Sequence, residues 1–124
     1  MTHRWPIRVY YEDTDLAGIV YYANYLRFIE RARSEWLRAL RVDQTALKAV
    51  GTVFAVRRIE ADYLSPARFD DLLEVETAVE ARTPARLILR QTVRRDGQAL
   101  FDARVTIVAV GADGRPQRLP AGLP

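Results

Sequence analysis

The sequence predicts an α+β domain, an antiparallel sheet wrapped around one long central helix, with residues 1–124 forming a single unit. Three observations predict it. Residues 24–40 carry a wide apolar stripe at helical spacing. Most of the chain after residue 53 alternates apolar and polar side chains, the period of strands that bury one face. Short turn signals, Asp96-Gly97 the plainest, join those later segments, so neighbouring strands run antiparallel. A sheet that follows one apolar helix buries both apolar faces by curling around it. Such a sheet keeps edges and an open face, so pairing of two copies is expected.

Each element has its own signal. Ile7, Val9 and Tyr11 alternate with Arg8, Tyr10 and Glu12, which predicts a short strand over 7–11. A polar segment with Gly18 as its turn residue follows. Tyr25, Phe28, Ile29, Ala32, Trp36, Leu37 and Leu40 then recur every three or four residues, with Asn24 as the expected N-cap. Glu30 with Arg33, and Glu35 with Arg38, are expected to pair on the outer side of this helix. A shorter helix is expected over 43–50, stopping at Gly51. Strands are expected over 53–63, around Leu73–Val79, over 86–94 and over 101–109. The Gly- and Pro-rich tail from about residue 111 is expected to be irregular.

Composition narrows the chemistry. The chain is 49% hydrophobic and 28% charged, with net charge +3. That is the balance of a folded domain. No stretch approaches the roughly 18 apolar residues of a membrane span. The first eight residues hold charges and no apolar core of a signal peptide, which predicts a cytoplasmic protein. All but one of the nineteen basic residues are Arg, most of them read as solvated or paired with the sixteen acids. Lys clusters with interleaved aromatics are missing, which disfavours nucleic acid as a partner. There is no Cys, two Ser, and one His at position 3. A Ser–His–Asp triad and a His/Cys zinc site are therefore both disfavoured, and no metal or cofactor is expected. Chemistry without a cofactor must come from Asp, Glu, Tyr, Arg and backbone amides.

The segment ahead of the long helix is the candidate for that chemistry. Glu12, Asp13 and Asp15 fall within four residues, and Gly18 to Asn24 lead straight into the helix. Gly18 allows a tight turn and close approach of a ligand. Free N–H groups at the helix start sit where the helix dipole is positive and can hold a developing oxyanion. A carboxylate just upstream can reach the carbonyl carbon or a water beside it. Spacing alone reads first as an acidic cap on the helix and second as a catalytic carboxylate. In an extended segment Asp13 and Asp15 would point the same way, and Asp13 is read as structural.

The run from Arg4 to Tyr25, centred on Asp13-Thr14-Asp15-Leu16-Ala17-Gly18-Ile19-Val20-Tyr21, resembles the signature of the 4-hydroxybenzoyl-CoA thioesterase-like hotdog proteins. The likeness is greatest to the bacterial acyl-CoA thioesterases associated with the Tol–Pal envelope system. It continues through Phe28-Ile29-Glu30-Arg31-Ala32-Arg33-Ser34-Glu35-Trp36-Leu37-Arg38 and Tyr63-Leu64-Ser65-Pro66-Ala67-Arg68-Phe69-Asp70-Asp71, and fades after Gly111. The resemblance implies a hotdog fold and hydrolysis of acyl-CoA thioesters. It implies Asp15 as catalytic carboxylate, either nucleophile or base for water, and the Tyr22 backbone N–H as the group that polarises the thioester carbonyl. Gly18, Val20 and Tyr25 become substrate-binding positions. It implies a homodimer or homotetramer with the site between subunits, and an acyl carrier protein as a further partner. Some Tol–Pal-branch members carry His where Tyr22 stands, so a mechanism needing that imidazole is not available here, nor is a His-dependent dehydratase. A carboxylate and one oxyanion donor suffice in principle, because a thiolate of pKa about 8.5 leaves readily. The alternative from another class is a non-catalytic acyl-CoA or acyl-carrier-protein binding module. Arg57, Arg58, Arg68, Arg86 and Arg90 are the candidates to meet coenzyme A phosphates.

Overall fold

A computed structural model of the chain describes residues 2–124. Strand β1 spans His3–Arg8, helix α1 Asn24–Ala39, helix α2 Gln44–Ala49, β2 Thr52–Tyr63, β3 Leu72–Arg82, β4 Arg86–Arg95, β5 Gln98–Gly111 and β6 Pro116–Gln117. The strands form one antiparallel sheet in the order β1-β3-β4-β5-β2, with β6 added beside β5. Helix α1 lies over β3, β1 and β4, and α2 lies over β2. Its stripe is buried as expected: Tyr25, Phe28, Ile29, Ala32, Trp36 and Leu37 face the sheet. Leu73 and Val75 of β3, Leu89 and Val93 of β4, and Phe101 and Val105 of β5 meet them in the core. The β4–β5 turn has φ +50 at Asp96 and +82 at Gly97, the two left-handed residues of a tight hairpin turn.

Four local expectations are corrected. The first strand runs earlier, over His3–Arg8, and Tyr11 belongs to a 3-10 turn over Tyr11–Asp13. Only β3 borders β1, so Pro6 is tolerated on the open edge, and the true apolar periodicity ends at Val9. Asn24 is the first helical residue and Ala23 the cap. Arg33 is not on the outer side of α1. It is buried, and its Nη1 donates to Gln91 Oε1 at 2.8 Å. Gln91 Nε2 in turn donates to the Ile29 carbonyl and to Thr77 Oγ1, each at 2.9 Å. The Glu35–Arg38 pair does form. The tail is not irregular throughout. Gln117 pairs with Ala109, and Leu119 and Leu123 are buried, because both leucines join the hydrophobic core.

The uncovered part of the sheet is the later part of β2, beyond the residues that α2 covers. Val56, Ile59 and Tyr63 each keep a third or more of their surface exposed. They lie opposite Ile107, Val105 and Phe101, which are core residues of β5, so they belong to the inner, apolar side of the sheet. No helix among the described residues is long and apolar enough to cross a membrane.

Candidate active site

Asp15 opens a tight hairpin. The Gly18 N–H donates to the Asp15 carbonyl and the Asp15 N–H to the Ile19 carbonyl, each at 2.9 Å. Asp15 Oδ1 accepts the Ala17 N–H at 2.9 Å, the local bond through which Asp favours turns. Gly18 closes the loop at φ +78. A Cβ there would meet no atom within 4 Å, so the backbone angle and not crowding calls for glycine. The hairpin is fastened at its base, where Thr14 bridges to Val20 and Ile19 to Arg68. The Val20 N–H donates to the Ala67 carbonyl at 2.8 Å. The Asp15 carboxylate is half-buried, and no ion pair among the described residues includes it.

The helix start is brought beside this hairpin by one carbonyl. Asp13 O accepts the Tyr21 N–H and the Asn24 side-chain amide, both at 2.9 Å. The acids do not cap α1. Asp13 Oδ2 takes the Tyr10 N–H at 2.8 Å, Asp15 Oδ1 takes Ala17, and no side chain bonds to the helix start. Asp13 and Asp15 are therefore not two equivalent acids on one face, because the segment is a 3-10 turn followed by a hairpin, not an extended strand. Among the described residues the Tyr22 N–H makes no hydrogen bond, and Tyr22 itself is exposed. A free amide thus stands just ahead of a sixteen-residue helix, at the positive end of its dipole.

Tyrosines hold this arrangement. Tyr63 Oη donates to the Tyr22 carbonyl at 2.9 Å, which fixes the peptide after the free amide. Tyr25 is buried, its ring stacks on Phe101 at 4.9 Å, and its hydroxyl accepts the Ala67 N–H at 3.0 Å. Tyr21 and Tyr22 lie with ring centroids 4.8 Å apart. Hydrogen bonding to Tyr22 and its charge, with a smaller effect from Asp15, hold the Tyr21 phenol above its ordinary range. Tyr25→Phe is expected to leave the Ala67 N–H unpaired in the interior and cost about 1–3 kcal/mol in chemical denaturation.

Asp15 and Gly18 lie in the hairpin and Tyr22 in the turn that follows it, the two joined through the bonds of the Asp13 carbonyl to Tyr21 and Asn24. Val20 and Tyr25, each 3% exposed, lie behind them and form their backing. Tyr21, Tyr63 and Arg68 also border the site. Sequence reasoning missed Tyr63 as a positioning residue because its partner, the Tyr22 carbonyl, is remote in sequence. Of the arginines expected to meet phosphate, Arg90 is committed to Asp102 at 3.0 Å and Arg58 lies 3.5 Å from Glu60. Arg68, at the base of the Asp15 hairpin, is in no ion pair among the described residues.

The loop behind the hairpin is clamped by Asp71. Its Oδ2 accepts the Arg68 N–H at 2.8 Å and Arg95 Nη1 at 2.7 Å, and Arg95 also reaches the Pro66 carbonyl. Partial burial pushes the Asp71 carboxyl up, but the Arg68 N–H and the Arg95 guanidinium outweigh it and hold the group below its ordinary value. A depressed folded value means the clamp stabilises the fold above the unfolded pKa of about 3.9 and is lost as pH falls through the folded value. The gap in thermal midpoint between the wild type and Asp71→Asn is therefore expected to be widest near pH 7 and to shrink below about pH 4.

Residues 17–101 match the Thioesterase superfamily. The chain belongs to that family, and its fold is the hotdog fold. The acyl-CoA thioester hydrolase YbgC of Escherichia coli O6:H1 is 42% identical over 122 residues, 97% of this chain and 91% of that protein. A probable thioesterase from Bartonella henselae superposes with a TM-score of 0.92 at 38% identity, covering 97% of this chain and 100% of its own. A 4-hydroxybenzoyl-CoA thioesterase mutant complexed with 4-hydroxybenzoyl-CoA superposes with a TM-score of 0.90, covering 97% of this chain and 94% of that one. At 24% identity this is a likeness of fold alone.

Proposed function

We propose that this chain hydrolyses acyl-CoA thioesters to the free acid and coenzyme A, with Asp15 as the working carboxylate and the Tyr22 N–H as oxyanion donor. Hydrolysis as such rests on membership of the Thioesterase superfamily and on 42% identity to an acyl-CoA thioester hydrolase across 97% of the chain. The single observation that carries the residue assignment is the unfilled helix start. The Tyr22 amide is free, and the nearby Asp15 carboxylate is engaged by one local N–H and no cation. The thioester carbonyl oxygen takes the Tyr22 N–H. Asp15 then attacks the carbonyl carbon, or removes a proton from a water that does so. The oxyanion forms against the amide, the C–S bond breaks on its collapse, and the thiolate leaves with the coenzyme. In the nucleophilic route water cleaves the resulting anhydride and regenerates the carboxylate. Gly18 keeps the hairpin close to the acyl carbonyl, with Val20 and Tyr25 as its backing.

The uncovered inner face of β2 supports a homodimer, completed by a second copy across that edge. A cytoplasmic site of action, use of acyl-carrier-protein thioesters and association with the Tol–Pal system belong to the same reading. The test is free-thiol release from acetyl-, hexanoyl-, decanoyl- and benzoyl-CoA. Turnover on any member supports the enzyme reading. Binding without turnover on all of them replaces it with the binding module.

A further inference from the structure

Between the hairpin and α1 the chain closes one more turn. The Asn24 N–H donates to the Tyr21 carbonyl at 2.8 Å, which makes Tyr22 and Ala23 the central residues of a four-residue turn. Ala23 has φ −72 and ψ −20, and neither central residue has a positive φ. Those angles belong to a type I turn, whose central residues stand in or close to the right-handed helical region. The peptides ahead of Tyr22 and Ala23 are therefore oriented as in the helix that follows. Their N–H groups point the same way, off its start. Neither finds an acceptor among the described residues. The hydrolysis proposed for this site employs the Tyr22 N–H, and the Ala23 N–H beside it is equally free.

The Ala23 N–H is singled out by what holds the other end of its own peptide. The oxygen of that peptide is the Tyr22 carbonyl, which accepts the Tyr63 hydroxyl at 2.9 Å. No backbone donor among the described residues takes that oxygen. In a planar trans peptide the C=O and N–H point in opposite directions, so a donor fixed on the oxygen sets the direction of the N–H and polarises it. Tyr63 is itself held firmly. Its ring packs edge-on against Phe101 at 4.9 Å and Tyr25 at 5.6 Å, both of them buried. Burial, with smaller effects from Tyr22 and Tyr25, pushes the Tyr63 phenol above its ordinary value, so the hydroxyl keeps its proton and remains a donor. Tyr63 lies on the face of β2 assigned to a second copy. Its bond stays within its own chain, and cover by that copy removes water that competes for it.

We propose that the Ala23 N–H is a second oxyanion donor beside that of Tyr22, with Tyr63 as the positioning residue that aims it, an inference that rests on the hydrolase reading above. The oxygen of a tetrahedral intermediate accepts two hydrogen bonds. Two parallel N–H groups at the positive end of a helix dipole supply both without any side chain.

The test is free-thiol release by the full chain with the Ala23 N–H replaced by an oxygen. The α-hydroxy analogue of alanine, placed at position 23 by nonsense suppression, turns one amide into an ester and keeps the methyl group. With the best thioester of the acetyl-, hexanoyl-, decanoyl- and benzoyl-CoA panel, kcat is expected to fall by about 10²-fold. KM is expected to stay within about threefold, as for a contact made in the transition state. Tyr63→Phe keeps the ring and loses the hydroxyl, and is expected to lower kcat by about three- to tenfold at similar KM. In the ester chain the same substitution is expected to cost less than about twofold, because the N–H it aims is gone. A Tyr63 that served only packing would cost the same in both. The thermal midpoint of all four chains is read alongside. A folded ester chain with kcat within about twofold of the wild type overturns the proposal, as does an equal loss from Tyr63→Phe in both backbones. If the ester chain does not fold, Tyr63→Phe decides: a lowered kcat at constant KM and midpoint supports the proposal, and an undiminished kcat overturns it. No thiol release by the wild type from any thioester removes the hydrolase reading itself.

Discussion

Asp15→Asn is expected to lower kcat/KM for thioester hydrolysis by about 10²–10⁴-fold while the chain keeps its fold. The substitution separates chemistry from architecture. The structural duty of Asp15 is to accept the Ala17 N–H through Oδ1, and an Asn oxygen at the same position accepts it equally well. What Asn lacks is the negative charge needed to attack a carbonyl or take a proton from water. Asp13→Asn is the matched comparison. Asp13 Oδ2 is bonded to the Tyr10 N–H, and the backbone carbonyl of Asp13, which no side-chain change removes, holds Tyr21 and Asn24. Its effect on rate is expected to stay within a few-fold. Activity undiminished in Asp15→Asn, with an unchanged thermal midpoint, would sink the assignment of the carboxylate. Equal losses in both variants would mean that the turn as a whole, and not Asp15, is being disturbed.

The parts of this site that were legible in the sequence are those built from local signals. Asp15-Leu16-Ala17-Gly18 forms its hairpin through bonds within five residues, and Gly18 is required by φ +78 alone. The helical stripe from Tyr25 to Leu37 was legible for the same reason, since a period of 3.6 is a property of neighbours. Asn24 and Arg33 show where this stops. An Asn before an apolar stripe reads as a cap, but here the Asp13 carbonyl, eleven residues back, takes its amide and leaves the helix start open. An Arg three residues after a Glu reads as an exposed pair, but Gln91 on β4 supplies a buried acceptor 58 residues away. In both cases a long-range partner overrode the local preference. The resemblance to thioesterases pointed to Asp15 and Tyr22, while Tyr63 and Arg33 gain their roles only when β2 and β4 are folded against α1.

Gln91→Leu is expected to destabilise the chain by about 3 kcal/mol, because it removes the acceptor that holds a buried guanidinium. Gln91 is fully buried and joins three elements at once: Arg33 and the Ile29 carbonyl on α1, and Thr77 on β3, from its own place on β4. Losing its oxygen leaves Arg33 Nη1 without a partner, and losing its amide leaves Thr77 Oγ1 without its donor. For a domain of this size the thermal midpoint is expected to fall by roughly 10 °C. The informative variant is the double one. Arg33→Met with Gln91→Leu removes donor and acceptor together and fills the space with apolar atoms, and such replacements of buried polar sets are often neutral. Arg33→Met alone strands the Gln91 oxygen at a cost of about 1–3 kcal/mol. The double variant is thus expected to be more stable than Gln91→Leu and to fall well short of the sum of the two single losses. A midpoint for Gln91→Leu within about 2 °C of the wild type, or strict additivity in the double variant, would show that these side chains do not act as one unit.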